Sequence, residues 1–378
     1  MRSSGNPGIG APTLEHHKSK AFVMTFIKID KASWTGGLDA ARKQYRLFGP
    51  VKEGDFHNFK ALADGQAPDL DCRNTRMSPR SVVYPQSEVL FEYSLDDSQP
   101  DAHIMKEPQR DETPRAAVAL RPCDAYAFIL VRRNFDTPEH KDVYWLRNYE
   151  ATTFVGLACN DPCGTCFCTS AGSGPCDEQG LDVLLFDEGD HYLAKVITEK
   201  GATFLKAAGW QAEAEADAAD RIQALKRDAE AKIATQVATD RLAGQPQLAL
   251  YNAPFWDDIA FSCINCGTCT YLCPTCWCFD IQDENRGRQG LRMRNWDSCM
   301  APLFTLHGSG HNPRGEKVQR VRQRFMHKLK YYVDKYGDGI QCVGCGRCVT
   351  YCPVNIDIRK VCDLMNGFGE NTACSVAS

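Results

Sequence analysis

The chain has 378 residues, 43% hydrophobic and 24% charged, with a formal net charge of −4. This length suits two domains of ordinary size; the near-balanced charge excludes a general nucleic-acid binder, and no apolar run approaches the ~18 residues of a membrane span. Twenty cysteines, packed in tight clusters rather than spaced to staple distant loops, predict metal ligation in a reducing, cytoplasmic compartment.

Residues 1–23 show no periodicity and lack the apolar core of a secretory signal, and Met24 opens a better segment, "MTFIKI". They are expected to be a disordered leader or the product of a mis-set start. Residues 24–205 read as an α/β domain. "SVVYPQSEVLFEY" (81–93), "AAVAL" (116–120) and "TFVGLA" (153–158) are predicted strands, and "LDVLLFDEGDHYLAKVIT" (181–198) is a predicted hairpin. "DAYAFILVRRNF" and "DVYWLRNY" read as helical, so strand, crossover and strand make a βαβ unit with adjacent parallel strands.

Residues 206–248 read as a helical connector, with Ala- and Glu-rich helix over 211–244 and Ile222, Leu225, Ile233 and Val237 near helical spacing. Residues 249–365 hold the second cysteine-rich half, and 366–378 a tail. Within that half, 316–337 is a predicted amphipathic helix with Val318, Val321, Phe325, Leu329 and Tyr332 on its apolar stripe. Its basic face reads as solvated, or as a surface for an acidic or redox partner. The fold class is α+β: an N-terminal α/β domain with a Cys-rich loop, then an α-helical domain whose two C-x2-C-x2-C-x3-C-P runs, from Cys263 and Cys342, resemble those of a dicluster ferredoxin domain.

Two stretches repeat the spacing C-x2-C-x2-C-x3-C-P, "CINCGTCTYLCP" from Cys263 and "CVGCGRCVTYCP" from Cys342. This is the bacterial ferredoxin run, in which three thiolates hold one [4Fe–4S] cluster and the fourth ligates the other. One cluster is therefore expected on Cys263, Cys266, Cys269 and Cys352, the second on Cys342, Cys345, Cys348 and Cys273. Gly267, Gly344 and Gly346 are expected to let backbone amides approach the cluster sulfides. Zinc is the alternative for four thiolates, although its sites usually use two C-x2-C pairs. Cys276, Cys278 and Cys299 remain over. They read as structural or supporting thiols, or as a zinc or cluster site completed by His307 or His311.

A third site emerges from the βαβ unit. "LRPCDAYA" places Cys123 after one strand, and "LACNDPCGTCFCTSAGSGPC" places Cys159 after the next. Parallel neighbours end side by side, where ligands of open α/β sheets gather. Cys123, Cys159, Cys166 and Cys168 are the expected ligands of a third [4Fe–4S] cluster, with Cys163 in reserve. A zinc or a set of free thiols is the alternative.

"PQSEVLFEY", "RPCDAYA", "CFCTSAGSGP", "CINCGTCTYLCPTCWCFD", "WDSCM", "GSGHNPR" and "CVGCGRCVTYCPVNID" appear in the order seen in one group of iron–sulfur subunits. The chain resembles this family, which includes the beta subunit of soluble sulfhydrogenases and the A subunit of anaerobic sulfite reductase, over about residues 24–360. The resemblance implies an electron-transfer subunit of a multisubunit oxidoreductase of anaerobic metabolism. It would relay electrons between a subunit carrying FAD and NAD(P) and a terminal module: a hydrogenase, a sulfite reductase or a heterodisulfide-reductase-like unit. The chain itself has no G-x-G-x-x-G and no P-loop. The alternatives are a catalytic N-terminal Fe–S site acting on a small sulfur compound, and a zinc-stabilised scaffold.

Overall fold

A computed structural model describes residues 25–214 and 216–369; the expectations for the leader at 1–23 and for the tail beyond 369 lie outside them. Ten strands form: β1 (Phe26–Asp30), β2 (Arg46–Glu53), β3 (Phe56–Ala61), β4 (Ser87–Ser94), β5 (Arg115–Leu120), β6 (Thr152–Leu157), β7 (Val183–Asp187), β8 (His191–Val196), β9 (Phe279–Arg286) and β10 (Gln289–Trp296).

Seven of them build one mixed sheet in the order β1-β8-β7-β6-β5-β2-β3. Its centre, β2, β5, β6 and β7, is parallel, and β1, β8 and β3 close the edges antiparallel. The central strands are buried on both faces, Val183, Leu184 and Leu185 completely so. That accounts for continuous apolar runs where a half-exposed strand would alternate. Helices Lys31–Ala41 and Glu199–Ala207 cover one face through Leu38, Phe204 and Leu205. Pro122–Phe135 and Val143–Glu150 cover the other through Phe128, Val131 and Trp145. Asp142 caps the latter helix by accepting from the Trp145 amide at 2.9 Å. Trp145 is fully buried and stacks on Phe135 at 5.4 Å.

The expected βαβ unit is present. β5 and β6 are parallel neighbours, with Ala116 opposite Thr153. Their register slips between Val118 and Leu120, where buried Ala119 takes a φ of 62°. This bulge re-aims the strand end just before Cys123. The 181–198 hairpin is β7 and β8.

The cysteine-rich half departs from the all-helical expectation. β9 and β10 form a hairpin, and β4 from the first half joins it as a second sheet, β4-β10-β9. Among the described residues of 211–244, helix covers Ala218–Ala231. Ile233 and Val237 lie in the loop beyond it and are buried, so packing rather than helical periodicity explains their spacing. The 316–337 segment is helical from Lys317 to Met326 and from Tyr332 to Tyr336, joined by a π-helical turn, His327–Tyr331. Its apolar stripe packs as expected, but its basic face is not solvated. Arg320, Arg324, Lys328 and Lys330 are all buried: Arg320 donates to the carbonyls of Arg314 and Gly315, Arg324 and Lys328 face the second cysteine motif, and Lys330 faces the loop at Leu242.

Candidate metal centres

Three small cavities are walled by cysteine, and each matches one expected ligand set. Cys263, Cys266, Cys269 and Cys352 line the first, together with Val321, Arg324 and Phe325 from the 317–326 helix. Cys273, Cys342, Cys345 and Cys348 line the second. The exchange of the fourth cysteine between motifs is thus built into the chain path: Cys352 faces the first motif and Cys273 the second. Left-handed glycines, Gly267 (φ 73°) and Gly346 (φ 74°), open the short helices Thr268–Tyr271 and Arg347–Thr350 that carry the third cysteine of each run. Amides reach the cysteine sulfurs: Ile356 N donates to Cys352 Sγ at 3.2 Å, and Asn265 N to Cys263 Sγ at 3.4 Å. Such bonds to cluster sulfurs raise reduction potentials.

The third cavity lies at the ends of β5 and β6. Cys123, Cys159, Cys166 and Cys168 line it, with Asn74 and Arg121. Cys123 opens the helix Pro122–Phe135, and Cys168 begins a 3₁₀ turn, Cys168–Ala171, in the irregular loop. Arg121 Nη1 donates to the carbonyl of Ala158 at 2.8 Å, holding the two strand ends together. Cys163, the reserve ligand, is not in this wall, and neither is Cys176, which is buried in the apolar core.

The cavities adjoin. Cys345 stands in the walls of the second and third, Cys348 and Arg324 in the walls of the first and second. The N-terminal loop lies directly on the second motif. Phe167 N donates to Gly344 O at 2.9 Å, and Thr165 Oγ1 meets Thr350 Oγ1 at 2.9 Å. Gly344 and Gly346 are required by this contact as well as by their positive φ. A Cβ on Gly344 would stand 2.5 Å from Phe167 C, and one on Gly346 2.3 Å from Thr165 Oγ1. A buried ion pair closes the seam: Arg347 Nη1 meets Asp124 Oδ1 at 2.6 Å, with side chains 1% and 2% exposed.

The electrostatics favour anionic groups in these cavities. Among the described residues, neither Arg324 nor Lys328 has a carboxylate within ion-pair distance, although both are buried. Lys328 Nζ bonds Thr275 Oγ1 at 2.7 Å and Gln341 O at 3.4 Å. Burial opposes its charge, yet Cys273 and Cys276 hold its pKa above the ordinary lysine value. Arg324 behaves alike beside Cys269 and Cys348. Buried charges need opposite charge nearby, and thiolate-ligated clusters supply it. In the absence of metal, burial pushes the thiols of Cys168 and Cys345 up to about 12; thiolate formation and metal binding are therefore coupled. Among the described residues no three His, Cys, Asp or Glu side chains gather closely enough for a single metal ion; the thiols surround cavities instead.

Cys276, Cys278 and Cys299 line a separate, larger cavity of about 500 Å³. His307 and His311 do not complete it: they pair with each other on an exposed loop, ring centroids 5.3 Å apart, and the histidine in that wall is His327. Sequence reasoning missed the buried cations Arg324, Lys328 and Arg347. The available signal was the i, i+4, i+8 spacing of Arg320, Arg324 and Lys328, which stacks three charges on one side of a helix.

The 4Fe–4S dicluster domain family matches residues 262–356, the segment that holds both ferredoxin runs. Two [4Fe–4S] clusters therefore belong to this part of the chain. Over 351 residues the chain is 28% identical to the sulfhydrogenase 2 subunit beta of Pyrococcus furiosus, spanning 90% of this chain and 98% of that protein. No solved structure matches. Among the described residues no helix is long and apolar enough to cross a membrane.

Proposed function

From the premise that this chain is an iron–sulfur electron-transfer subunit of the sulfhydrogenase beta-subunit kind, we propose that it carries three [4Fe–4S] clusters forming one wire. The third is held by Cys123, Cys159, Cys166 and Cys168. The observation that carries the reading is the sharing of walls: the third cavity touches the second at Cys345, and the second touches the first at Cys348. Cysteine-lined cavities in direct contact suit stepwise electron transfer, with the protein supplying position, burial and hydrogen bonds. Four thiols around the third cavity, besides the Cys345 it shares with the second, favour a fully ligated relay over an open iron that binds a sulfur substrate.

Electrons enter from a subunit that carries FAD and NAD(P), where a hydride is split into single electrons. They leave to a terminal module: a hydrogenase, a sulfite reductase or a heterodisulfide-reductase-like unit. One port is the first cluster. Cys266 is exposed, and Phe261 and Ile264 beside it are 85% and 61% exposed, an apolar rim suited to a docking subunit. The test is anaerobic EPR with NADH and NADPH, on the isolated chain and on the complex purified from its host. Cluster signals should appear on nucleotide addition only when the flavin subunit is present. Reduction of the isolated chain by nucleotide, or no reduction in the complex, would overturn the relay.

A further inference from the structure

The cavity lined by Cys276, Cys278 and Cys299 is used by none of the three clusters. It is about 500 Å³, within the usual range for small-molecule sites. Its wall holds Arg314, Arg324, Lys328 and Lys335, and no Asp or Glu. Lys335 is exposed, so the cavity reaches solvent. Among the described residues three buried polar atoms in this wall have no partner: Arg314 Nη1, Arg324 Nε and Gln341 Nε2. Arg324 and Gln341 are each at least nine-tenths buried. Unpaired buried donors are costly, and several around one cation-rich space call for an anion carrying more than one acceptor.

Three thiols face the same space, Cys276, Cys278 and Cys299, and the last two form a pair. Cys278 precedes β9 and Cys299 follows β10, at the open end of that hairpin. The backbone bond from Asp297 N to Cys278 O, 3.0 Å, brings the two strand ends together. Both cysteines pack in one cluster, and the Cys299 thiol donates to the Cys278 sulfur. That hydrogen bond, with the charges of Lys328 and Arg80 assisting against burial, lowers the Cys278 thiol to about 7. Arg324 and Lys328 stand in the walls of both this cavity and the second cluster cavity. The pair is therefore next to a source of single electrons.

We propose that Cys278 and Cys299 form a redox-active dithiol, reduced by the neighbouring cluster, that cleaves a small organic disulfide bearing carboxylates bound among Arg314, Arg324 and Lys328. In the oxidised form the two sulfurs share a disulfide bond. Two electrons, passed one at a time from the cluster, and two protons convert it to two thiols. The Cys278 thiolate then attacks one sulfur of the substrate. The substrate S–S bond breaks, and the first thiolate leaves and takes a proton. The Cys299 thiolate attacks Cys278 of the mixed disulfide, releases the second thiol and restores the internal disulfide. The sum is one disulfide, two electrons and two protons giving two thiols.

This inference rests on the relay reading for its electrons, and the test separates the two. The holo-protein is reduced anaerobically with viologen, desalted and mixed with glutathione disulfide or with uncharged 2-hydroxyethyl disulfide. Cluster EPR, iron content and cysteine alkylation are followed. The expected result is cluster reoxidation by two electrons per glutathione disulfide, at least about tenfold faster than with the uncharged compound, and a Cys278–Cys299 linked peptide. Cys278→Ser and Cys299→Ser should each slow the reaction by about a hundredfold or more with iron content and cluster EPR unchanged. Wild-type rates in either variant would overturn the dithiol. Loss of about four irons in the variants would also overturn it, making these thiols cluster ligands instead. Wild-type protein that shows no reduced-cluster signal would remove the relay, and this proposal with it.

Discussion

Asp124→Ala removes the carboxylate that faces Arg347 across the seam between the two halves. The pair is bidentate, 2.6 and 2.7 Å, and essentially unexposed. Arg347 would keep only Thr75, whose carbonyl accepts from Nε at 2.7 Å and whose hydroxyl lies 3.2 Å from Nη2. A guanidinium left buried without its carboxylate costs about 3–5 kcal/mol. At ~2–4 °C per kcal/mol for a chain of this size, the unfolding midpoint should fall by roughly 6–20 °C. The assay is anaerobic thermal unfolding of the holo-protein at one fixed scan rate. The double substitution Asp124→Leu with Arg347→Met replaces the pair by apolar groups and should recover most of the loss. A single-variant shift under about 2 °C would refute the argument that this pair locks the N-terminal cysteine loop to the second ferredoxin motif.

Other substitutions read the site directly. Gly346→Ala puts a Cβ against Thr165 at a position with φ of 74°; iron content should fall by up to about four atoms as the third site opens, while the spectrum of the first cluster persists. Lys328→Met removes a buried positive charge beside the second cavity; losing about 1–2 kcal/mol of attraction at an effective dielectric of ~20 should make that cluster's potential more negative by on the order of 50–100 mV in an EPR-monitored titration. Ile264→Glu, at the exposed apolar rim of the first site, should weaken copurification with the redox partners without changing iron content.

The cysteine groupings around the first two cavities were legible because covalent spacing decides them. Three thiols with two residues between neighbours can only converge locally, and the fourth departs at a proline. The third grouping was legible through topology: parallel β5 and β6 end together, which brings Cys123 and Cys159 to one cavity. The β9–β10 hairpin was not legible. β9 is exposed along nearly its whole length and shows no alternation; backbone pairing and contacts such as Arg292 to Asp283 at 2.8 Å hold it instead. Its one signal was glycine: Gly287 takes a φ of 63°, and Gly290 lies under the ring of Tyr93. The buried charges were hidden for a similar reason. Arg324 and Lys328 look like a solvated helix face until the anionic cavities they face are known. The π turn at His327–Tyr331, which shifts the register of that helix where Lys328 enters the site, has no pattern in the residue sequence.

The most direct measurement is an anaerobic iron and acid-labile sulfide count, made with EPR of the fully reduced protein, on the wild type and on the combined Cys123→Ser and Cys168→Ser variant. The wire through both halves predicts about twelve irons, signals broadened by neighbouring clusters, and about eight irons in the variant. About eight irons in both proteins would contradict it: the wire would end at the dicluster domain, and the cysteines after β5 and β6 would carry no electrons.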